Sequence, residues 1–312
     1  MSRADACDFS AELARWGPDS QPADKKTASE YCLHLARTHY ENFPVLTWFV
    51  PKPLRPHFAN IYAYCRWSDD LADEVGDVER SLRLLDWWRG ELLSCYQGKP
   101  RHPITVALTE TIREFDIPPE PFLDLLSAFR RDQTQARYET FEDLLSYCRQ
   151  SADPVGRLVL FLARRTDERF LRWSDSICTG LQLANFWQDV AVDWRKGRVY
   201  LPQEDMLRFG VSDDDLARSR AAAEFRALLK FEAERAEEFL NAGRPLPRFM
   251  PGRLKFVVAL FAEGGLGILR KIRASDFDVL SARPKLSRSS YVGIVCRAVR
   301  TALGNPRPTE AA

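Results

Sequence analysis

Apolar residues recur with a helical period along nearly the whole chain of 312 residues. The sequence has no convincing alternating strand pattern and no hairpin signal such as Asn-Gly. Pro103 and Pro119 are typical of first helical turns, and Thr140 with Asp143 is typical of a capping box. The prolines begin two predicted helices, and the capping box leads into a third over residues 144–165. The pattern predicts the others over residues 27–40, 56–74, 81–96, 167–194, 212–240, 253–273 and 287–303.

These segments predict an all-α fold, a single-domain bundle of roughly ten helices. Residues 1–26 are rich in Asp, Ser, Pro and Gly, and they are predicted to form a loose leader. The helical domain is predicted over 27–303, followed by a tail over 304–312. Helix bundles build metal sites from carboxylates on their helices, so the acidic residues of this chain become the first candidates for function.

Composition narrows the class of protein. Lys and Arg number 45 against 44 for Asp and Glu, a balance that excludes a strongly basic nucleic-acid binder. Seven widely spaced cysteines without a CxxC pair favour free thiols in a reducing cytosol. The first residues lack the apolar core of a signal peptide, and the longest apolar run, 256–262, is too short to cross a bilayer. We therefore expect a cytoplasmic protein.

Three oxygen ligands recur every fourth residue at Asn185, Asp189 and Asp193. On a helix this spacing forms one row that spans ~12 Å. The neighbouring residues are apolar, which predicts a mostly buried helix and a high cost for unpaired charges in the row. Pairing with arginines would meet that cost, and so would Mg²⁺, which prefers oxygen ligands and substrate phosphates.

Another acidic cluster lies more than a hundred residues upstream, at Asp69, Asp70, Asp73 and Glu74. It is the first acidic cluster along the chain, and Asn185, Asp189 and Asp193 form the second row. Asp69 and Asp73 are one helical turn apart, after a largely apolar and aromatic stretch. The cluster could be a solvated acidic face. Arg66 lies on the same side of the helix, where it could contact a diphosphate that metal ions bridge. Two such rows favour a Mg²⁺–diphosphate site.

Two neighbouring segments add candidate residues. Arg195, Lys196 and Arg198 follow the second row, where they could cap the helix before Gly197 or belong to a loop over the diphosphate.

Asp153-Pro154 interrupts a helical run, either as a plain break or as a kink that frees the carbonyl of Gln150. That carbonyl, with Tyr147 and Asp153, could hold a water molecule inside the site.

The chain resembles the squalene/phytoene synthase family of head-to-head prenyl synthases from about residue 40 to 287. Four segments carry the resemblance in order: residues 69–73, 147–156, 185–193 and 197–202. Gln188, Val192 and Asp153-Pro154 depart from the usual family pattern. The stretch 185–194, with Glu41-Asn-Phe-Pro44 and Arg283-Pro-Lys-Leu-Ser287, is most similar to the bacterial branch that makes hydroxysqualene.

The resemblance implies an isoprenoid-synthase helical bundle with a central cavity. It implies that Mg²⁺ binds Asp69, Asp70, Asp73, Asn185, Asp189 and Asp193. Arg66, Arg198 and Tyr200 would contact the diphosphate, and Tyr147 would join Asp69, Asp73 and Asp189 as a catalytic residue. Asp153, where the chain departs from the family pattern, is a further catalytic candidate because it could position a water molecule.

The implied reaction converts presqualene diphosphate and water to hydroxysqualene and diphosphate, without NADPH. Three alternatives stay open: a synthase that joins two farnesyl diphosphates, a phytoene or dehydrosqualene synthase, and a catalytically inactive binding protein. The apolar substrate and product also predict peripheral contact with the inner face of the plasma membrane. Handover to other squalene-pathway enzymes is a further expectation.

Overall fold

Helices account for nearly all regular structure in the computed structural model, which describes residues 9–39 and 50–304. Within these ranges the β-type pairing is one isolated bridge between Arg137 and Val199. The prediction of an all-α fold is confirmed. The α-helices are α1 (Phe9–Trp16), α2 (Lys25–His39), α3 (Arg55–Asp73), α4 (Val78–Gln97), α5 (Pro103–Phe115), α6 (Glu120–Asp132), α7 (Phe141–Ser151), α8 (Asp153–Leu162), α9 (Glu168–Arg195), α10 (Gln203–Phe209), α11 (Asp213–Leu216), α12 (Ala223–Ala242), α13 (Leu254–Ala274) and α14 (Arg288–Leu303).

Local sequence signals place several helix ends correctly. Pro103 occupies the first turn of α5, and Thr140 and Asp143 form a reciprocal capping box before α7. Pro119 instead lies one residue before α6, whose first turn contains Pro121. At Asp153-Pro154 the helical run divides into two separate helices, since α7 ends at Ser151 and α8 begins at Asp153.

Two predicted segments differ from the structure. The predicted leader contains helix α1, whose Leu13 is buried. The predicted helix over 212–240 is divided into α11 and α12. The division is held by distant residues, because the Ala221 amide donates to Asp278 and Arg226 donates to the Ala221 carbonyl. A contact across 57 residues has no local sequence signal.

The chain divides into two compact units, residues 1–134 and 135–312. In the first unit the buried rings of Tyr64 and Trp67 on α3 stack on Trp88 of α4. Trp88 also donates to the hydroxyl of Ser68, the residue before Asp69. The packing therefore fixes the rotation of α3 and the face on which its acidic residues lie.

Helix α9 is the core of the second unit, where it packs on α8, α12 and α13. Leu183, Ala184 and Trp187 are fully buried, and the Trp187 indole donates to the Glu232 carbonyl of α12. The buried side of α9 thus alternates with the positions of the second row. This alternation leaves the row on the opposite side of the helix.

Gly265 and Gly267 lie at close contacts between helices, whereas Gly264 does not. A Cβ at Gly265 would lie 3.0 Å from Leu240, and one at Gly267 would lie 2.9 Å from Ile294. At Gly264 an added Cβ would meet nothing within 4 Å. An added side chain would therefore crowd a neighbouring helix at Gly265 and Gly267, but not at Gly264.

Gly180→Ala is expected to destabilise the fold by about 1–3 kcal/mol, because its Cβ would meet backbone that cannot yield. That Cβ would lie 2.9 Å from the Leu240 nitrogen and 3.1 Å from the Ala236 oxygen. Gly264→Ala is the matched control, also within a helix, and should be neutral or stabilising. Urea denaturation checks both variants, and equal free energies of unfolding would contradict the prediction.

Several expectations concern thiols and membranes. Cys32, Cys65, Cys95, Cys148, Cys178 and Cys296 are free thiols, as predicted. Among the described helices, none combines the length and apolar content needed to cross a membrane. Cys7 and the stretch Glu41-Asn-Phe-Pro44 lie outside the described residues.

Candidate active site

The first acidic cluster occupies the last turns of α3. Asp69 is partly exposed, Asp73 is exposed and Asp70 is buried. The Arg66 side chain donates to both oxygens of Asp70, at 3.1 and 2.5 Å, and its Nη1 lies 3.5 Å from Asp69 Oδ2. Arg66, a predicted diphosphate contact, and Asp70, a predicted metal ligand, thus form an ion pair in this state.

Burial dominates the chemistry of Asp70. It raises the pKa of that carboxyl to about 6, even though the Arg66 guanidinium lowers it. Asp69, Asp73 and Glu74 remain accessible, and the two aspartates are one helical turn apart. They present carboxylates in the arrangement that the sequence predicts for metal binding.

The second row is more accessible than its apolar neighbours suggested. Asn185 is exposed, and Asp189 and Asp193 are partly exposed, while the adjoining Phe186, Trp187 and Val190 are buried. The expectation that the row itself is buried is therefore wrong. Because the row lies on the exposed side of α9, its oxygen atoms are accessible to a charged substrate.

Asp189 is paired with an arginine that sequence reasoning did not assign to the site. Arg283 donates from Nε to one oxygen of Asp189 and from Nη2 to the other, the latter at 3.0 Å. Gln188 holds the same segment, since its amide donates to the Pro284 carbonyl and its oxygen accepts from Arg283 at 3.3 Å. The sequence signal that could have identified Arg283 was the stretch Arg283-Pro-Lys-Leu-Ser287, which served only as evidence of family resemblance.

The electrostatics of the second row favour a cation. Burial, followed by the charge of Asp189, raises the pKa of Asp193 to about 6. A divalent ion bound by both carboxylates would relieve that repulsion. Within the described ranges, no three His, Cys, Asp or Glu side chains could hold a metal ion by themselves. Asn185, Asp189 and Asp193 carry oxygen donors, which are the donor type that Mg²⁺ prefers.

The loop after α9 is anchored to its surroundings. Gly197 has a φ of +75° and follows the helix end, as predicted for a stop signal. The Val199 amide donates to the Ala136 carbonyl at 2.8 Å, next to the bridge between Arg137 and Val199. Arg198 and Asp193 line one cleft with Phe186, Val190, Trp194, Val199, Tyr200, Leu201 and Leu216.

Aromatic rings lie directly beside the second row. Tyr200 stacks on Phe186 with ring centroids 3.8 Å apart and an interplanar angle of 8°. Tyr147 is 6.2 Å from Phe186, and Tyr138 stacks on Tyr200 at 5.7 Å. Tyr147 and Tyr200 were predicted from separate motifs and belong to one aromatic cluster. Tyr138 was missed, because it lies outside the recognised motifs.

Asp153 is 2% exposed and begins α8. The Thr179 hydroxyl on α9 donates to its Oδ1 at 2.8 Å. Burial, and then the charge of Asp175, raises the pKa of Asp153 to about 7. Thr179 precedes Asn185 by six residues, or ~9 Å along the helix. A carboxyl with this pKa can exchange a proton at neutral pH.

The fold and the order of these motifs define an isoprenoid synthase. Residues 36–290 match the family model described as squalene/phytoene synthase. The chain belongs to this family, and it is an enzyme of isoprenoid biosynthesis.

Curated relatives include enzymes with different products. The chain is 37% identical over 272 residues to hydroxysqualene synthase from Rhodopseudomonas palustris, covering 85% of this chain and 90% of that protein. It is 30% identical over 285 residues to 15-cis-phytoene synthase from Synechocystis, covering 87% of this chain and 85% of the relative.

Solved structures support the same family. Squalene synthase HpnC from Alicyclobacillus acidocaldarius is 42% identical, with a TM-score of 0.77 over 82% of this chain and 97% of that chain. A dehydrosqualene synthase in complex with a ligand is 26% identical, with a TM-score of 0.80 over 88% of this chain and 96% of that chain.

Proposed function

We propose that this enzyme is a hydroxysqualene synthase of squalene and hopanoid biosynthesis. It would convert presqualene diphosphate and water to hydroxysqualene and diphosphate without NADPH. The supporting observation is 37% identity to a hydroxysqualene synthase over most of both chains, against 30% for the phytoene synthase compared above. Phytoene formation is the second candidate because such relatives also match.

The acidic rows supply the metal ligands. Asp69 and Asp73 on α3, and Asn185, Asp189 and Asp193 on α9, present accessible oxygens that would hold Mg²⁺, with Asp70 assisting. When bound, Mg²⁺ neutralises charge that develops on a leaving diphosphate. Accessible carboxylates and an amide suit a hard cation that arrives with phosphate oxygens.

Arginines complete the diphosphate contacts. In the present state Arg66 is held by Asp70, and Arg283 is held by Asp189. Each guanidinium matches phosphate oxygens with two parallel donors, and either would contact them when its carboxylate partner holds Mg²⁺. Arg198, which lines a cleft with Asp193, is placed to add a third cationic contact.

The aromatic cluster stabilises the carbocation that forms when the diphosphate leaves. Ionisation breaks the C–O bond, and the electron pair leaves with diphosphate. Tyr138, Tyr147, Phe186 and Tyr200 supply ring faces whose negative potential attracts a cation. The same apolar surfaces exclude bulk water, so that the cation survives until one water molecule captures it.

Asp153 would position that water, with Tyr147 nearby. Water adds its oxygen to the cationic carbon and loses a proton, for which Asp153 is a suitable acceptor. Asp153→Gly is expected to lower the fraction of alcohol product at least about tenfold while diphosphate release continues. Asp153→Asn keeps the size of the side chain and controls for packing.

Product analysis by mass spectrometry, alongside a diphosphate assay, checks this prediction. Wild-type alcohol yield in Asp153→Gly would contradict the water role.

Separate substrate incubations test the proposed function. Purified protein receives either presqualene diphosphate or farnesyl diphosphate with Mg²⁺ and no NADPH. Hydroxysqualene from presqualene diphosphate alone supports the proposal. Presqualene diphosphate formed from farnesyl diphosphate, or a phytoene-type hydrocarbon, would assign the chain to a neighbouring activity. No turnover of either substrate would favour a binding protein.

A further inference from the structure

The loop after α9 runs directly into α10. Residues 197–202 carry Arg198 and Tyr200, and α10 begins at Gln203. On one side this segment is paired with the backbone before α7, since the Gln203 amide donates to the Tyr138 carbonyl at 3.0 Å. On the other side α10 packs on α12. The position of the loop therefore depends on how α10 is held.

A buried charged contact, here called the charge bridge, joins α10 to α12 through Asp205, Arg235 and Glu232. Arg235 donates from Nη1 to Asp205 Oδ2 at 2.6 Å and to Glu232 Oε1 at 3.4 Å. The side chains of Asp205 and Glu232 are 4% and 0% exposed. The guanidinium also lies 4.3 and 4.1 Å from the ring centroids of Phe141 and Phe231. Removal of one partner would therefore leave a buried charge without compensation.

The turn of α12 that holds α10 also holds α9. The Trp187 indole donates to the Glu232 carbonyl at 3.1 Å. Trp187 adjoins Phe186, the ring on which Tyr200 stacks. One turn of α12 thus anchors this stack from both sides, with Phe186 held through α9 and Tyr200 held through α10.

The two carboxyls of the charge bridge share one cation. Glu232 Oε2 is buried and accepts no hydrogen bond from the described residues, so an ionised carboxylate there would be costly. Burial raises the pKa of Glu232 to about 8, against the opposing charge of Arg235 and with the added effect of the Asp205 charge. Glu232 therefore keeps its proton at neutral pH, which leaves Asp205 and Arg235 as a balanced pair.

The charges that act most strongly on the Glu232 carboxyl are Arg235 of the same helix and Asp205 of α10. Other side chains that meet α12 from its neighbours are uncharged or have contacts of their own: Trp187 of α9, Arg208 of α10 over the Phe231 ring, and Arg273 of α13 paired with Glu237. The titration of Glu232 is thus governed by the charge bridge.

We propose that the charge bridge is a positioning device for the diphosphate site. While Glu232 holds its proton, the bridge keeps the loop that carries Arg198 and Tyr200 against α9. Loss of that proton adds a second buried negative charge, which is relieved when α10 moves into solvent. This inference deepens the proposed function, since it rests on the roles given there to Arg198 and Tyr200.

The docked loop keeps a proton that the released loop gives up. Docking therefore weakens as the pH rises from the ordinary pKa of a glutamate to the raised pKa of Glu232, about 8, and changes no further above it. Release also melts α10, because a helix of seven residues has little stability alone in water. The amides of α10 then exchange with solvent.

Amide hydrogen exchange on the full chain tests the bridge without substrate. After correction for intrinsic rates, wild-type peptides over residues 197–209 should lose protection at least about tenfold between about pH 6 and about pH 8.5. Glu232→Gln keeps the size of the side chain but cannot ionise, so its protection should be equal at both pH values. Asp205→Ala breaks the bridge and should lower protection already at about pH 6.

Glu263→Gln is the matched control. Glu263 is also a buried glutamate, with a side chain that is 1% exposed and a carboxylate that accepts from Arg244 at 3.0 Å. It lies on α13, outside the charge bridge. The variant should leave the pH dependence of residues 197–209 as in the wild type. Circular dichroism should give near wild-type helix content for every variant.

Diphosphate release measures the effect on the site. Asp205→Ala should lower kcat/KM at least about tenfold at neutral pH, whereas Glu263→Gln should stay within about threefold of the wild type. Three results would overturn the proposal: equal pH dependence of exchange in the wild type and Glu232→Gln, loss of that dependence in Glu263→Gln, or wild-type kcat/KM in Asp205→Ala. A wild-type enzyme that forms a different product would instead refute the proposed reaction and leave the exchange result standing.

Discussion

Asp189→Ala should lower turnover by at least about 10³-fold, because it removes a proposed Mg²⁺ ligand at the centre of the second row. Asp69→Ala should act similarly through the first cluster. Both residues lie on accessible helix faces, and the side chain of Asp189 is 24% exposed. Loss of a surface ion pair costs little stability, so both variants should remain folded. Turnover at several Mg²⁺ concentrations and circular dichroism together check this expectation.

Glu168→Ala is the matched control for Asp189→Ala. Glu168 also lies on α9, and its carboxylate pairs with Arg172 at 2.6 Å. The control removes a carboxylate and an exposed ion pair from the same helix, but it leaves the row intact. It should keep near wild-type turnover. Turnover above one tenth of wild type in both Asp69→Ala and Asp189→Ala would refute the metal assignment.

Arg283→Ala is expected to lower kcat/KM by about 10²- to 10³-fold, because the proposed contact would give the leaving diphosphate a bidentate donor. The pair with Asp189 is only partly buried, with 42% of the Arg283 side chain exposed. Its removal should therefore change the melting temperature little. Arg283→Lys keeps the charge but loses the planar fork, so kcat/KM should fall between the two.

Lys285→Ala controls for Arg283→Ala, since Lys285 is an exposed cation two residues further along the same segment. It should leave kcat/KM near the wild-type value. A lower melting temperature for Arg283→Ala with unchanged kcat/KM would mean that the arginine only pairs with Asp189. The contribution of Arg283 to phosphate binding would then be rejected.

Local patterns predicted what depends on local physics. The fourfold spacing placed Asn185, Asp189 and Asp193 along one side of α9, and the capping box at Thr140 located the start of α7. Helical periodicity gave the remaining long helices within a few residues, except the segment 212–240. The accessibility of the second row did not follow from its apolar neighbours, because burial on α9 alternates with exposure over a single turn.

Contacts between distant residues were not predictable in this way. Arg283 pairs with Asp189, which is 94 residues away in the sequence. Asp278 accepts a hydrogen bond from the amide of Ala221, 57 residues away, where the segment 212–240 divides into two helices. Tyr138 joins the aromatic cluster from outside every recognised motif. In each case the partner is chosen by tertiary packing, which spacing and propensity do not encode.

The central claim is that the enzyme breaks the C–O bond of presqualene diphosphate and captures water. Turnover in H₂¹⁸O measures this directly. The account predicts hydroxysqualene that carries one ¹⁸O at the carbinol carbon and diphosphate without the label. An unlabelled alcohol with ¹⁸O in the released phosphate would indicate attack at phosphorus, and it would contradict the account.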